Sequence, residues 1–598
     1  MAATYDTDVV IIGGGPVGLA LAAELGWRGQ RCILLEQTDG AVLHPKMDGI
    51  DLRVMEFCRR WGIIEQMREY AFPPDYPQDM VYVTSLDGYE LGRESFALPS
   101  GGPEMRLSAP SPEARIRCPQ THFDPILQRL ASSFPTVELR FNACFEQLEQ
   151  DDGGVVVHYR DEHGDARQLR GVFAVGCDGA NSAVRRSLGI SFTGVGLLNY
   201  TTNVLFHCED LFAYHKHRPG YRWLFIGPEG AYGTMSAMNG KDLWRTQLFN
   251  DERGPLSEAE VKSRLERMIG RPFPFEIRSV LNWSRRELVA ETYRSNRVFL
   301  AGDAAHATSP TGGFGMNTGI KDAIDLAWKL EATLQGWAGP RLLDTYDQER
   351  RPIGQRAVRE ATGNWRRMNA IGTTPRLLDP TYEGALLRYH VGRRFSATML
   401  REWYKLGIDL GYVYRDSPIC WPDRATDDAS SAIAQHERTE LRPQSAPRAW
   451  LPDGKPLSKA TLREWQRLIQ HESEGYDVQM DWEELSAAEV MVYRQTSEPG
   501  ARAPHVWLEN GTSTLDWFGR EFVLLNLSGD ASSGGALVAA ATNANMPLRI
   551  VNCPDPNVRE EYARPYVLVR PDGHVAWRDW QLPDESLAQA IVGRLRGA

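Results

Sequence analysis

The sequence predicts an α/β protein of two or three domains, led by a Rossmann-type nucleotide-binding unit. Three observations carry that prediction. An apolar strand runs directly into a glycine-rich turn and a helix near the N-terminus. Two further glycine–aspartate motifs, around residues 178 and 303, each follow an apolar strand. At 598 residues the chain is also too long for one hydrophobic core, because domains typically hold ~100–200 residues.

The first unit starts with Asp8-Val9-Val10-Ile11-Ile12, a continuous apolar run of the kind buried in a parallel sheet. It enters Gly13-Gly14-Gly15-Pro16-Val17-Gly18, a helix over 19–27 and a second strand over 31–35. Glu36 and Gln37 end that strand. Gly13, Gly15 and Gly18 let the backbone turn tightly and approach a pyrophosphate, Pro16 suits a first helical position, and Glu36 suits ribose hydroxyls. Either a flavin or a nicotinamide dinucleotide satisfies this unit alone.

The third motif is Gly302-Asp303-Ala304-Ala305-His306, continuing to Pro310-Thr311-Gly312-Gly313-Phe314-Gly315-Met316-Asn317. It follows an apolar run over 298–301 and leads into a helical pattern over 318–330. An acid at a strand end and a glycine-rich helix start suit a sugar-phosphate and a flat redox ring. The second motif is Cys177-Asp178-Gly179-Ala180-Asn181-Ser182-Ala183-Val184-Arg185, after a strand over 171–175. Taken alone, Asp178-Gly179 is equally a turn.

Composition narrows the partners. A formal net charge of -11 disfavours nucleic acid and anionic membranes. No apolar run approaches 18 residues, so no membrane span is expected. The early first strand leaves no room for a leader, which predicts a cytoplasmic protein. Eight cysteines lie scattered without metal-ligand or CxxC spacing, so buried free thiols and no metal site are expected.

The three motifs together resemble the class A flavoprotein aromatic hydroxylases, the family of para-hydroxybenzoate hydroxylase and phenol hydroxylase. The resemblance implies FAD as cofactor, NAD(P)H as reductant and O2 and a small aromatic compound as substrates, in a homodimer. It implies that Asp178 serves both cofactors, Arg185 the nicotinamide side, and Gly302 and Asp303 the FAD ribityl and pyrophosphate. Gly315, Met316 and Asn317 would bring a helix N-terminus to the flavin, with Pro310 beside the reacting ring. In Arg115-Ile116-Arg117-Cys118-Pro119-Gln120, before a helix over 123–130, Gln120 is either a flavin contact or a helix-start residue bonding its own backbone.

Pro45-Lys46-Met47-Asp48-Gly49-Ile50-Asp51-Leu52-Arg53 precedes a helix over 54–61. Family members usually carry arginine at the position of Lys46, so a cofactor contact here keeps the charge and loses the bidentate fork. Asp48 matches the aspartate that phenol hydroxylase places beside the substrate hydroxyl; the competing reading is a turn or cap before Gly49. Oxygen transfer from a flavin C4a-hydroperoxide is an electrophilic substitution, faster on a phenolate. Carboxylate and phenol pKa values differ by ~6 units, about 8 kcal/mol. Asp48 must then be raised by burial, the phenol lowered, or the proton shared in the transition state.

The expected organisation is an FAD-binding domain over 1–75, 105–195 and 290–370, and an antiparallel-sheet substrate domain over 76–104 and 196–289. A helical segment and linker follow over 371–440, and the resemblance implies a thioredoxin-like domain over 441–598. Aromatic-rich runs at 223–226 and 244–249 suggest the substrate sheet, with Tyr232, Met235 and Met238 as wall or core residues. No paired arginines stand out there, which favours a phenol over a benzoate. The leading expectation is hydroxylation ortho to an existing phenolic hydroxyl. Baeyer–Villiger or other oxygenation on the same scaffold, and a non-catalytic flavin-binding interaction protein, are the alternatives.

Overall fold

The structure is a computed structural model describing residues 5–69, 72–73, 75–96, 110–250, 256–423, 449–450, 487–530 and 534–598. Strand Thr7–Ile12 lies in the middle of the first sheet, parallel to Cys32–Leu35 on one side and Ala166–Gly176 on the other. Val137–Arg140 and Val298–Leu300 extend the parallel array outward. Val9, Val10 and Ile11 are fully buried, as a strand covered on both faces must be.

Register brings the three motifs together. Ile12 pairs with Gly176, and Gly176 pairs with Leu300, so the strands end at one level. Their following loops leave from the carboxyl edge, where open α/β sheets bind ligands. Helix Pro16–Trp27 packs against both Gln120–Ser132 and Gly315–Leu334. Each of the three helices starts three residues earlier than the apolar periodicity suggests, because proline, glycine and polar residues fill the first turns.

A second sheet of eight strands runs in the order 306–307, 276–290, 192–207, 243–250, 230–237, 222–227, 80–83, 90–94. Its short edge strand His306–Ala307 pairs with Val289 and Leu288, stitching the third motif to this sheet. Trp223, Trp244 and Met235 fill one core beneath helix Glu258–Ile269. Helices Asp344–Asn369 and Tyr382–Trp403 enclose another around Tyr82 and Phe395. Residues 424–440 of the expected helical segment and linker lie outside the described residues.

The tail alternates Phe522–Asn526, helix Gly535–Asn543, Leu548–Asn552, helix Pro556–Tyr562, the hairpin Tyr566–Val569 and Val575–Asp579, then helix Glu585–Leu595. The first two strands are parallel and the hairpin runs antiparallel beside them, a βαβ–ββα order of the thioredoxin type. Cys553 is buried and free. The tail is fused to the first sheet's helices: Trp328 and Trp337 share its apolar core. Buried Arg570 bridges Glu349, Asp325 and Asp572, and Lys329 joins Asp325 to Glu349. Arg502 pairs with buried Glu56. No helix among the described residues is long and apolar enough to cross a membrane.

Candidate active site

One cavity of about 1540 Å³ opens where the three loops meet the second sheet. Ligand pockets usually hold ~300–1,000 Å³, so a large cofactor and a second molecule can share it. Gly15, Pro16, Gln37, Lys46, Gln120, Asp178, Asp303, Pro310, Gly315, Met316 and Asn317 all reach its wall.

The glycine loops are shaped by contact and by space. A Cβ on Gly18 would fall 2.0 Å from the Gly13 carbonyl oxygen, so the helix can sit this close only with glycine there. A Cβ on Gly15 or Gly313 would meet nothing within 4 Å, because both face open cavity. Helices Pro16–Trp27 and Gly315–Leu334 begin without a side-chain cap, leaving two helix N-termini for anionic groups. The Asp303 carboxylate is exposed to the open cavity but enclosed by the surrounding protein, and that enclosure raises its pKa against the pull of His306 and Lys46. An acceptor beside two N-termini fits the hydroxyls, pyrophosphate and reduced ring of FAD.

Several expected contacts spend their side chains on the scaffold. Glu36 accepts from Gly14 N at 2.7 Å and from Thr38 N and Oγ1, and it is not among the residues lining the cavity. Asp178 accepts from Ser182 Oγ, Ala183 N and Val184 N, so the turn reading describes its carboxylate. Arg185 does not reach the wall; it donates to the Ile190 carbonyl and lies 3.9 Å over the Phe192 ring. Asn317 donates to the Gly49 and Gly313 carbonyls and accepts from Asp51 N, joining the 45–53 segment to the helix start. Gln120 accepts from Lys46 N and donates to Asp124, so its local bonds coexist with a place on the wall.

Asp48 sits in a polar cluster on the same wall. The Tyr221 hydroxyl donates to its Oδ2, and Arg245 Nη2 lies 3.4 Å from its Oδ1. The Arg117 guanidinium stacks 4.0 Å from the centre of the Tyr221 ring. Burial alone would raise the carboxyl, but Arg245, Arg117 and the Tyr221 hydrogen bond outweigh it and hold Asp48 at about 2. Elevation by burial is therefore corrected: Asp48 is ionised and weakly basic. Arg245 of the substrate sheet is joined at Asp48 by Arg117, which lies outside the region where no paired arginines stand out; the two are 128 residues apart in sequence and meet only in the fold. Tyr232, Met235 and Met238 belong to the core and not to the wall.

Behind the third motif, His306 Nε2 lies 2.7 Å from Asp322 Oδ2, which also accepts from Gly302 N. Arg350 Nε donates to Asp322 Oδ1 at 2.7 Å and anchors the group to helix Asp344–Asn369. These three fully buried residues fix the 302–306 turn. Asp322 and Arg350 carry no spacing signal in the sequence; only a charge at a buried helical position hints at them.

Fold and cavity together define a flavin-dependent oxidoreductase with room for a second substrate. Residues 6–361 match the FAD binding domain family and residues 496–596 the C-terminal domain of aromatic-ring hydroxylases. An FAD-dependent monooxygenase of Emericella nidulans is 31% identical over 98% of this chain and 90% of its own. A 2,4-dichlorophenol 6-monooxygenase of Delftia acidovorans is 28% identical over 97% of this chain and 96% of its own. Among solved structures, RebC with bound 7-carboxy-K252c superposes with a TM-score of 0.82 at 33% identity, covering 100% of both chains. The flavin-dependent monooxygenase PieE, in complex with FAD and substrate, gives 0.81 at 27% identity, covering 99% of this chain and 100% of its own. The chain belongs to the class A flavoprotein aromatic hydroxylases and is an FAD-dependent monooxygenase that takes its electrons from NAD(P)H.

Proposed function

We propose that this enzyme uses NAD(P)H and O2 to hydroxylate a phenolic ring ortho to its existing hydroxyl. The observation that carries the reading is the cluster of Asp48, Tyr221, Arg117 and Arg245 on the wall of the cavity that fits FAD. When bound, FAD supplies the electrophilic oxygen. The chain's residues prepare the arene.

With Asp48 at about 2 and a phenol near ~10, complete proton transfer to the carboxylate would cost roughly 11 kcal/mol. Asp48 is thus an acceptor that orients the hydroxyl proton, and not its final base. Arg117 and Arg245 lower the cost by stabilising phenolate oxygen, since charge-assisted hydrogen bonds are about twice as strong as neutral ones. Tyr221, whose hydroxyl donates to Asp48 and whose ring lies against Arg117, shares the phenolic proton in this hydrogen-bonded chain as the barrier is crossed, without delivering it to the carboxylate. Apolar walls from Phe72, Met80, Leu281 and Trp283 face the ring and limit water. The start of helix Gly315–Leu334 favours negative charge on the reduced cofactor by ~0.3–2 kcal/mol. Lys46 and Asp303 complete the cofactor side, with Asp178 shaping its turn.

The Delftia relative's name places oxygen at the 6-position of a phenol, adjacent to the hydroxyl, which supports the ortho assignment. Product analysis under 18O2 across monocyclic and bicyclic phenols tests the proposal. One labelled ring hydroxyl per NAD(P)H is expected. A labelled lactone would establish Baeyer–Villiger chemistry, and no substrate-stimulated NAD(P)H oxidation would leave a flavin-binding scaffold. Homodimeric assembly belongs to the same proposal, and sedimentation at the mass of one chain would remove it.

A further inference from the structure

Arg285 lies on strand Glu276–Ala290 with 2% of its surface exposed. No acidic group stands within ion-pair distance of it among the described residues. Its Nη1 donates to Ser309 Oγ at 3.1 Å and to Thr311 Oγ1 at 2.8 Å. Those hydroxyls lie 2.6 Å apart and are themselves buried. Trp365 covers the guanidinium at 3.9 Å, and Nε has no partner. Between the two hydroxyl residues stands Pro310, on the cavity wall, with its carbonyl accepting from Gly313 N at 3.0 Å.

Burying a guanidinium without a carboxylate is unfavourable, and two hydroxyls return only part of the lost hydration. Every other fully buried large arginine here, Arg350, Arg502 and Arg570, has its acid. Burial lowers Arg285 to about 9, helped by Arg222 and opposed by Glu402, so it remains charged at neutral pH. Among the described residues no ion pair neutralises this charge directly behind the Pro310 segment; Glu402 acts on it only from beyond ion-pair distance.

We propose that Arg285 is a positioning residue that clasps Ser309 and Thr311 to set Pro310, and that its charge favours the reduced, anionic state of bound FAD. The inference rests on FAD lying against the Pro310 wall. Hydride transfer from NAD(P)H delivers two electrons and one proton to the ring system, which gains one negative charge while the nicotinamide becomes cationic. A cation behind the wall stabilises that product over the neutral oxidised ring.

The test is the midpoint potential of bound FAD, measured anaerobically without substrate, so its outcome is independent of which arene is hydroxylated. Arg285→Gln keeps donors for the hydroxyls and removes the charge. It should shift the reduced-to-oxidised ratio about tenfold toward oxidised, about 30 mV for a two-electron couple. Arg285→Lys keeps the charge and should stay within about threefold of wild type. An Arg285→Gln potential equal to wild type, or an Arg285→Lys shift as large as that of glutamine, overturns the electrostatic role. Thr311→Val covers the case in which glutamine abolishes FAD uptake: the potential should hold while hydrogen peroxide released per NAD(P)H rises severalfold. A changed potential or unchanged peroxide in that variant overturns the clasp.

Discussion

Replacing Asp48 by asparagine keeps the shape of the side chain and an acceptor for Tyr221 while removing the charge between Arg245 and Arg117. The ionised acid orients a proton but is about eight pKa units too acidic to keep it, given its value of about 2 and the ~10 of a phenol. Its contribution should then fall at the low end of the 10²–10⁴-fold range for positioned proton-transfer groups, about 10²-fold in kcat/KM, or roughly 2.7 kcal/mol. FAD affinity should change less than about threefold, because no cofactor-cradling element is altered. Stopped-flow reduction and product yield per NAD(P)H, alongside FAD fluorescence titration, separate the two effects. The pH profile adds a second check. A carboxyl held near 2 is ionised throughout the working range, so no limb of the wild-type profile between pH 4 and 8 should vanish in the variant. An unimpaired variant, or a limb near neutrality that disappears with Asp48, would falsify this reasoning.

Three other substitutions or conditions probe the rest of the structure. Asp303→Ala should raise the FAD dissociation constant about 10- to 100-fold, the worth of one charged hydrogen bond of ~1.5–3 kcal/mol, read by flavin fluorescence; an unchanged constant would take Asp303 out of the cofactor site. Arg570→Met should destabilise the protein by roughly 3–5 kcal/mol in urea unfolding, since Glu349, Asp325 and Asp572 lose a shared buried counter-charge; a midpoint equal to wild type would mean the tail is loosely attached. Acid stability depends on Glu56, which Arg502 and Arg53 hold at about 2 against the effect of burial. Its folded value is depressed, so its roughly 3 kcal/mol is present above pH ~4.5 and drains away as pH falls toward 2. Glu56→Gln should flatten that acid limb in pH-dependent unfolding, and an identical limb would assign it elsewhere.

Local chemistry made much of this molecule legible. Strand, glycine turn and helix at 8–27 need only neighbouring residues, and parallel pairing then forces the loops after Ile12, Gly176 and Leu300 onto one edge. The acceptor at Asp303 and the glycines facing open space follow from the same local patterns. What spacing cannot show is charge meeting charge across the fold. Arg117 and Arg245 come from different sheets, and their convergence removes elevation by burial from the three routes open to Asp48. Arg285 reads as one more residue in an exposed-looking Ser-Arg-Arg-Glu run, yet it is buried against Trp365. Asp178 shows the opposite case: a motif residue on the cavity wall whose carboxylate also accepts from its own turn. The tail's attachment through Arg570 and Arg502 is equally invisible, because the partners lie hundreds of residues upstream.

The most direct measurement is titration of cofactor-free protein with FAD, followed at the visible flavin band. One tightly held flavin per chain, with a band that shifts when a phenol is added, is the result predicted by a single cavity shared by cofactor and arene. Failure to bind FAD, or a flavin band indifferent to every aromatic ligand offered, would contradict it.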